Sequence, residues 1–443
     1  MTAKTTVAFE KPPMLATEWA RDRIARNRAG EPVGFFSVCS SHPWVIDAAI
    51  QHAVEEGSYL CLESTSNQVN QFGGYTGETP NDFAKRVFSQ ARRLGLPENR
   101  VLLGGDHLGP YPWRRLPSAS AMENACQLVR DYVFAGYKKI HLDASMACAD
   151  DAAIVDEEVV ARRAAQLCQV AEEASQESGQ SAGCLMYVVG TEVPVPGGEK
   201  ADDSAFRVTD PSAAQNTLEI TRRCFADKGL ESAWERVIGL VVQPGVEFGE
   251  ASVFDYDRGQ AEALSRHLPE SPGLVYEAHS TDYQTSRALQ QMVEDHFAIL
   301  KVGPWLTFAM REAIFALAEI ERNWLVNRTE VQLSNVRGAL EAAMLGNPEH
   351  WKSYYTGQAA DLKFARRFSF SDRCRYYWSD HFVQCELKQL LRNLSGECIP
   401  ITLLSQFMPR QYEKVRSGVL AARPESLISD SIRDVLQIYH AAT

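Results

Sequence analysis

Side chains able to bind metal or move protons recur at one place in the pattern of this chain, the downstream end of a short apolar run. Glu63 ends LCLE, Asp106 and His107 end LLGGDH, Asp143 ends KIHLD, Gln243 ends VVQ, Glu277 and His279 end VYEAH, Lys301 stands in ILKVG, and Glu192 follows YVVG. Carboxylates brought together in a low dielectric repel one another strongly unless cations or protons compensate them, and a divalent metal ion would do so. Two histidines and a carboxylate are a ligand set for zinc or a similar ion with one position left open for substrate, and His107, His279 and Glu192 supply it. Any one of these residues alone has a plainer reading, as a hydrogen-bonded structural residue; the coincidence across runs carries the weight. His141 is the contrast. Two residues before Asp143, it shares that residue's face but lies one layer deeper, the place of a packed core histidine, and it is left out of the site.

These residues converge only if the runs that carry them lie side by side and parallel. Eight such runs are present, at 33–39, 58–63, 100–106, 138–143, 183–190, 236–243, 273–279 and 297–303. Helical periodicity follows each of them, over 44–56, 79–94, 118–135, 155–178, 211–227, 256–267, 283–295 and 306–324. Repeated strand–helix units predict an α/β fold, a (β/α)8 TIM barrel, whose chemistry sits at the C-terminal strand ends. An open doubly wound sheet is the competitor, but it wants a glycine-rich phosphate turn after its first strand, and VGFFSVCSSHP carries none. The expected divisions are an N-terminal segment at 1–30, a catalytic barrel at 31–325 and a helical C-terminal extension at 326–443, rich in aromatic residues and arginine.

The bulk properties narrow the function. At 443 residues the chain is longer than one core usually serves, although α/β barrels of about 250 residues or more are routine. Lysine and arginine total 45 against 57 aspartates and glutamates, a formal charge of −12, which argues against nucleic acid or an anionic membrane and for a small polar substrate. The 10 cysteines are scattered and form no CxxC pair, so they read as reduced, buried thiols. MTAKTTVAFEKPPML has no apolar core of signal-peptide length and no later stretch approaches a membrane span, so a cytoplasmic location is expected. The loop QFGGYTG, with Gly73 and Gly74, suits backbone contacts to a phosphate or simply a tight turn. TEVPVPGG would hold Glu192 stiffly, or is an ordinary proline-rich turn.

Longer motifs carry a resemblance: FFSVCSSHPWVIDAA, LESTSNQVNQFGGYTGETPNDF, LLGGDHLGPYPW, KIHLDASM, YVVGTEVPVPGG, YEAHSTDYQT and LKVGPWLTFAMREA. They resemble the tagatose-bisphosphate aldolase Z-subunit family, also described as tagatose-6-phosphate 4-epimerases, from about residue 33 to the C-terminus. That family is itself similar to the class II, metal-dependent fructose-bisphosphate aldolases. The resemblance implies that Asp106 is a proton donor, that His107 beside it is a metal ligand, and that His279 is a second ligand. A further aldolase histidine on the sixth strand is replaced by Gln243, which leaves Glu192 or Gln243 to complete the set.

The resemblance implies three activities, which physical argument ranks. The first is epimerisation of D-tagatose 6-phosphate to D-fructose 6-phosphate at C4. That carbon is β to the C2 carbonyl, so its proton is not acidic and simple deprotonation cannot invert it. Retro-aldol cleavage of C3–C4 followed by re-addition to the other aldehyde face can. Here a metal supplies Lewis acidity at the carbonyl, held by His107, His279 and Glu192, while Asp106 with Glu277 transfers the proton. The second reading is a non-catalytic subunit that stabilises a separate class II tagatose-1,6-bisphosphate aldolase. It would leave the site a relic, and an abandoned site would be expected to lose some of its costly buried polar groups. The third, a sugar-phosphate kinase, lacks any GxxxxGK[ST] loop.

The substrate is then a phosphorylated ketohexose. Lys301 with Gly303 beside it is the conventional barrel position for its phosphate, and Asn67, Gln68, Glu63 and Asp143 are further substrate contacts. Arg373 and Arg375 either reach over the mouth from the extension or form surface salt bridges. Zinc is the first expectation for the metal, while manganese, cobalt or nickel would tolerate the same ligands. A homo-oligomer or an aldolase partner subunit is compatible with the sequence.

Overall fold

The computed structural model describes residues 14–190, 207–268 and 273–443. The expected strands are all present: β1 (Phe35–Val38), β2 (Leu60–Thr65), β3 (Val101–Leu108), β4 (Lys139–Leu142), β5 (Met186–Val189), β6 (Val237–Val242), then, after a small hairpin of β7 (Glu247–Phe248) and β8 (Val253–Phe254), β9 (Val275–Ala278) and β10 (Ile299–Val302). Apart from the hairpin they close into a parallel barrel in the order β1-β10-β9-β6-β5-β4-β3-β2. A strand of such a barrel is covered on both faces, inside by side chains and outside by helices, which is why β6 reads VIGLVV and is buried at every residue. The chain is a (β/α)8 TIM barrel.

The lower end of the barrel is closed by the helix Ala16–Arg28. Its Ala16, Ala20 and Ile24 pack with Phe35, Leu102, Met186, Val275 and Ile299 of the strands in one apolar cluster. Asn27 fastens it, donating to the carbonyls of Val33 and Val293, each at 2.9 Å. The barrel interior is therefore dry below, and its polar residues are confined to the upper end.

The last helix, Pro424–Ala442, returns to the barrel wall. It packs on the helices Pro43–Glu55, Ser286–Glu294 and Pro304–Leu325. Its buried Tyr439 hydroxyl donates to the carbonyl of Thr281 at 2.7 Å, and the carbonyl of Thr443 accepts from Gly34 at 3.1 Å. Earlier in the extension, the turn at 369–377 crosses toward the mouth. Tyr283 donates to Phe370 at 2.6 Å, and Asp372, in the left-handed region with φ 45°, accepts from Arg311 at 2.9 Å and Thr307 at 2.7 Å. Among the described residues no helix is long and apolar enough to cross a membrane.

Candidate active site

Strand alternation sets which side chains enter the barrel. On β4 these are Lys139 and His141, on β2 Glu63, on β9 Glu277 with His279 after it, and on β10 Lys301. They form two layers. In the lower one, Lys139 Nζ lies 2.7 Å from Glu63 Oε1 and 2.6 Å from Glu277 Oε2, with all three side chains closed off from solvent. Lys301 Nζ pairs with Glu63 Oε2, lies 2.6 Å from Asp106 Oδ1 and 3.6 Å from Glu277 Oε1. Burial by itself raises a carboxyl, but Lys139 and Lys301 outweigh it and hold Glu277 well below the ordinary range. The charge of the converging carboxylates is thus met largely by two ammoniums, so repulsion among them does not by itself call for a metal. Lys139, inside KKIHLD, is a residue that sequence reasoning passed over.

The upper layer holds the imidazoles. Strict alternation would place Asp106 and His107 on opposite faces. The β3–β4 register shifts between Gly105 and Leu108, and His107 adopts φ 48°, so both side chains turn into the mouth. Ser66 fixes that turn by donating to the His107 carbonyl at 2.8 Å. Gly109 completes it: a Cβ there would lie 1.6 Å from the Asp143 carbonyl oxygen, so only glycine lets the end of β3 approach β4 this closely.

His107 Nδ1 sits 2.7 Å from Asp143 Oδ2, and Asp143 is itself held by the Ser145 hydroxyl at 2.7 Å. Burial disfavours the His107 cation, but the Asp106 and Asp143 carboxylates prevail and raise its pKa. His279 Nε2 donates to Glu277 Oε1 at 3.0 Å, and burial pushes His279 down to about 4. His141 is fully buried, as expected, but it is no bystander. Its Nε2 faces the Gly190 carbonyl at 3.1 Å, while its Nδ1 receives the His107 backbone N–H at 3.2 Å and lies 3.0 Å from Asp106 Oδ1.

Asp106, His107, His141 and His279 each offer one donor atom, all within 4.8 Å of one another. The donor set fits a divalent cation of the zinc type. One observation bears on the fit. His141 Nδ1 lies 3.0 Å from Asp106 Oδ1, two acceptor atoms in contact that need a proton or a cation between them, and a divalent ion is one way to supply it. The backing of His107 by Asp143 and of His279 by Glu277 is the outer support that metal-binding imidazoles need.

A cavity of about 440 Å³ opens above this cluster. Asp106, His107, Asp143, His279, Lys301 and Gly303 line its strand side, and Asn67 and Gln68 line it from the loop after β2. Arg373 and Arg375 face it from the extension. Several expected residues are not brought to it. Glu63 and Glu277 lie beneath it, bound to the lysines. Gln243 Oε1 instead accepts from Gly245 at 2.7 Å and Val246 at 3.0 Å, closing its own turn. Gly73 and Gly74 serve the fold of their loop: Gly74 N–H goes to Asn70 Oδ1 at 3.1 Å, and a Cβ on Gly74 would meet the Gln68 carbonyl oxygen at 2.4 Å. Lys301 is engaged by carboxylates, and the Gly303 N–H donates to Asp282 Oδ1 at 2.9 Å, so neither presents itself to a phosphate. Glu192 lies outside the described residues.

A closed eight-stranded barrel with an aspartate–histidine cluster at its C-terminal strand ends is a TIM-barrel protein with a metal-type site. Residues 20–443 match the family described as D-tagatose-1,6-bisphosphate aldolase subunit GatZ/KbaZ-like, and the chain belongs to that family. The crystal structure of a probable tagatose 6 phosphate kinase from Sinorhizobium meliloti 1021 is similar over 93% of this chain and 100% of that one, with 43% identity and a TM-score of 0.84. The YdjI aldolase from Escherichia coli K12 is 12% identical over 85% of this chain and 100% of its own, TM-score 0.42. A fructose-bisphosphate aldolase from Campylobacter jejuni is 12% identical over 86% and 93%, TM-score 0.40. The last two are too distant to carry an argument. The family places the protein in tagatose-bisphosphate aldolase-related function.

Proposed function

We propose that this protein is a metal-dependent 4-epimerase that interconverts D-tagatose 6-phosphate and D-fructose 6-phosphate by retro-aldol and aldol chemistry. The observation that carries the reading is Asp106, a carboxylate kept ionised at the floor of the cavity among three imidazoles. His107, His141 and His279 would hold a divalent ion, zinc first among the candidates, which when bound supplies Lewis acidity at the C2 carbonyl. Asp106 accepts the proton of the C4 hydroxyl, the C3–C4 bond breaks, and its electron pair passes to the C2–C3 fragment as an enediolate. The aldehyde fragment, glyceraldehyde 3-phosphate, turns its other face, the bond re-forms, and Asp106 returns the proton to the new C4 oxygen. Glu277 and Asp143 hold the imidazoles of His279 and His107 rather than exchanging protons with substrate.

A second reading follows from the family's description as an aldolase subunit, in which the chain assists a separate tagatose-bisphosphate aldolase. The retained cluster of buried, costly polar groups favours catalysis by this chain. An isotope experiment tests the proposal. Tagatose 6-phosphate deuterated at C4 should give fructose 6-phosphate that keeps the label in ordinary water, and labelled glyceraldehyde 3-phosphate added to the mixture should enter the product at low level. Loss of the C4 label to solvent would rule out the cleavage route.

A further inference from the structure

The place where a barrel usually binds phosphate, the N-terminus of the helix after the last strand, is already filled. Asp282 Oδ1 accepts from the backbone N–H of Gly303 at 2.9 Å and of Trp305 at 2.8 Å at the start of the helix Pro304–Leu325. A second anion there would meet a buried carboxylate. Lys301 is committed to Asp106, Glu63 and Glu277. In the QFGGYTG loop the amides of Phe72 and Gly74 are taken by Asn70 Oδ1, and that of Tyr75 by the Asn67 carbonyl. Among the described residues, the groups left to meet a phosphate on a ligand in this cavity are those of the opposite wall.

We propose that Arg375, with Arg373 and Ser371 beside it, forms an anion subsite that takes the phosphate of the sugar phosphate. This rests on the sugar-phosphate reading of the cavity. All three residues line the cavity on the side away from the strand ends. Among the described residues no carboxylate lies within 4.0 Å of the Arg375 guanidinium, although Tyr75, Tyr376 and the rest of the wall partly cover it. Its fork is held in place by neutral partners only: Nη1 donates to the carbonyls of Ser371 and, at 3.3 Å, Asp372, and Nη2 donates to the Tyr376 hydroxyl at 2.9 Å. The guanidinium carbon lies 4.5 Å from the centre of the Tyr376 ring, which in turn stacks on His350 with centroids 4.5 Å apart and meets Tyr75 edge-on at 4.8 Å. A preorganised, partly desolvated guanidinium that no carboxylate pairs directly is the kind of group that recognises a phosphate dianion.

The turn that carries it is fixed to the barrel through Asp372, so the subsite does not drift relative to the chemistry. The cavity is then polar in one direction, with cations on the extension wall and Asp106 with the imidazoles at the strand ends. That polarity points the phosphate end of the substrate at the extension and its carbonyl end at the imidazoles. The extension thereby selects phosphorylated over free sugar.

The test uses Arg375→Met and Arg375→Lys in the full chain, with inorganic phosphate and D-tagatose 6-phosphate as probes followed by calorimetry, and with unphosphorylated tagatose as control. Arg375→Met should weaken both phosphate-bearing probes by roughly ten- to a hundredfold, the scale of one charged hydrogen-bonding group. Arg375→Lys should recover part of that, and tagatose binding should stay unchanged. In turnover the loss should appear in KM rather than kcat. Wild-type phosphate affinity in a folded Arg375→Met would overturn the subsite. Should Arg375→Met fail to fold, Tyr376→Phe, which frees Nη2 and keeps the ring, is read by the same titration and should show a smaller loss in the same direction; no loss would overturn it. If the wild type binds phosphate and Arg375→Met does not, yet neither epimerises the sugar, the subsite stands and the epimerase reading fails.

Discussion

Lys301 holds its ammonium 2.6 Å from Oδ1 of Asp106, across the barrel from the strand that carries the aspartate. Burial alone would raise the Asp106 carboxyl, but the charges of His107 and Lys301 outweigh it and keep it well below the usual carboxylate range, ionised and ready to accept a proton. Lys301→Met removes one of those charges. The acid limb of the kcat/KM–pH profile should then move to higher pH by about one unit or more. An unmoved limb would show that Lys301 does not set the protonation of the base.

The proposed cation site includes a histidine that the sequence placed in the packing beneath it. His141→Ala, like His107→Ala, should lower bound divalent metal in a folded protein by at least tenfold in affinity, read by mass spectrometry after dialysis at limiting metal. Gln243→Ala should keep its metal and lose about 1–3 kcal/mol of stability, because the amides of Gly245 and Val246 lose their acceptor. Full metal in His141→Ala would remove that residue from the site.

The buried charge layer is expected to be fragile to single changes and tolerant of paired ones. Lys139→Met leaves Glu63 and Glu277 short of a cation at a place without solvent and should cost about 3–5 kcal/mol. Adding Glu277→Gln in the same chain should return part of that loss, because one of the stranded charges is gone. Thermal or denaturant unfolding of the two variants decides, and equal stabilities would show that the two residues are not coupled.

Asp282 gives a pH signature. Burial pushes its carboxyl up to about 6, against the opposing pull of the Trp305 and Gly303 N–H groups and of Arg375. The folded protein therefore holds this proton more tightly than the unfolded chain, whose aspartate titrates near 3.9. The contribution is fully present below the unfolded value and is lost as pH rises through about 6, by up to about 1.4 kcal/mol for each pH unit between them. Asp282→Asn keeps an acceptor for the two amides without the charge. Its stability relative to wild type should rise between pH 4 and 7, and a flat difference across that range would contradict the assignment.

Much of the barrel was legible because each strand is an apolar run with a chemical residue at its end, as in VYEAH and LLGGDH. What period-two reading could not resolve was depth. It put His141 below the site, whereas the bulge before Leu108 and the left-handed turn at His107 bring the end of β3 over it. It also placed Glu63 and Glu277 at the mouth, because nothing in either run reveals the lysine of a distant strand that claims it. Lys139 did leave a signal: a lysine two residues before a strand histidine must share its inward face and therefore needs a buried partner. The Asp282 cap and the cationic wall of Arg373 and Arg375 depend on loops and on a returning extension, for which local periodicity carries no information.

The most direct test of the central claim is to incubate the purified chain alone with D-tagatose 6-phosphate, with and without a chelator, and to follow D-fructose 6-phosphate. Conversion that the chelator abolishes and added zinc or manganese restores is the expected result. Metal-loaded chain that stays inert, and whose only effect is to stabilise or activate an added tagatose-bisphosphate aldolase, would contradict it and establish the subunit role instead.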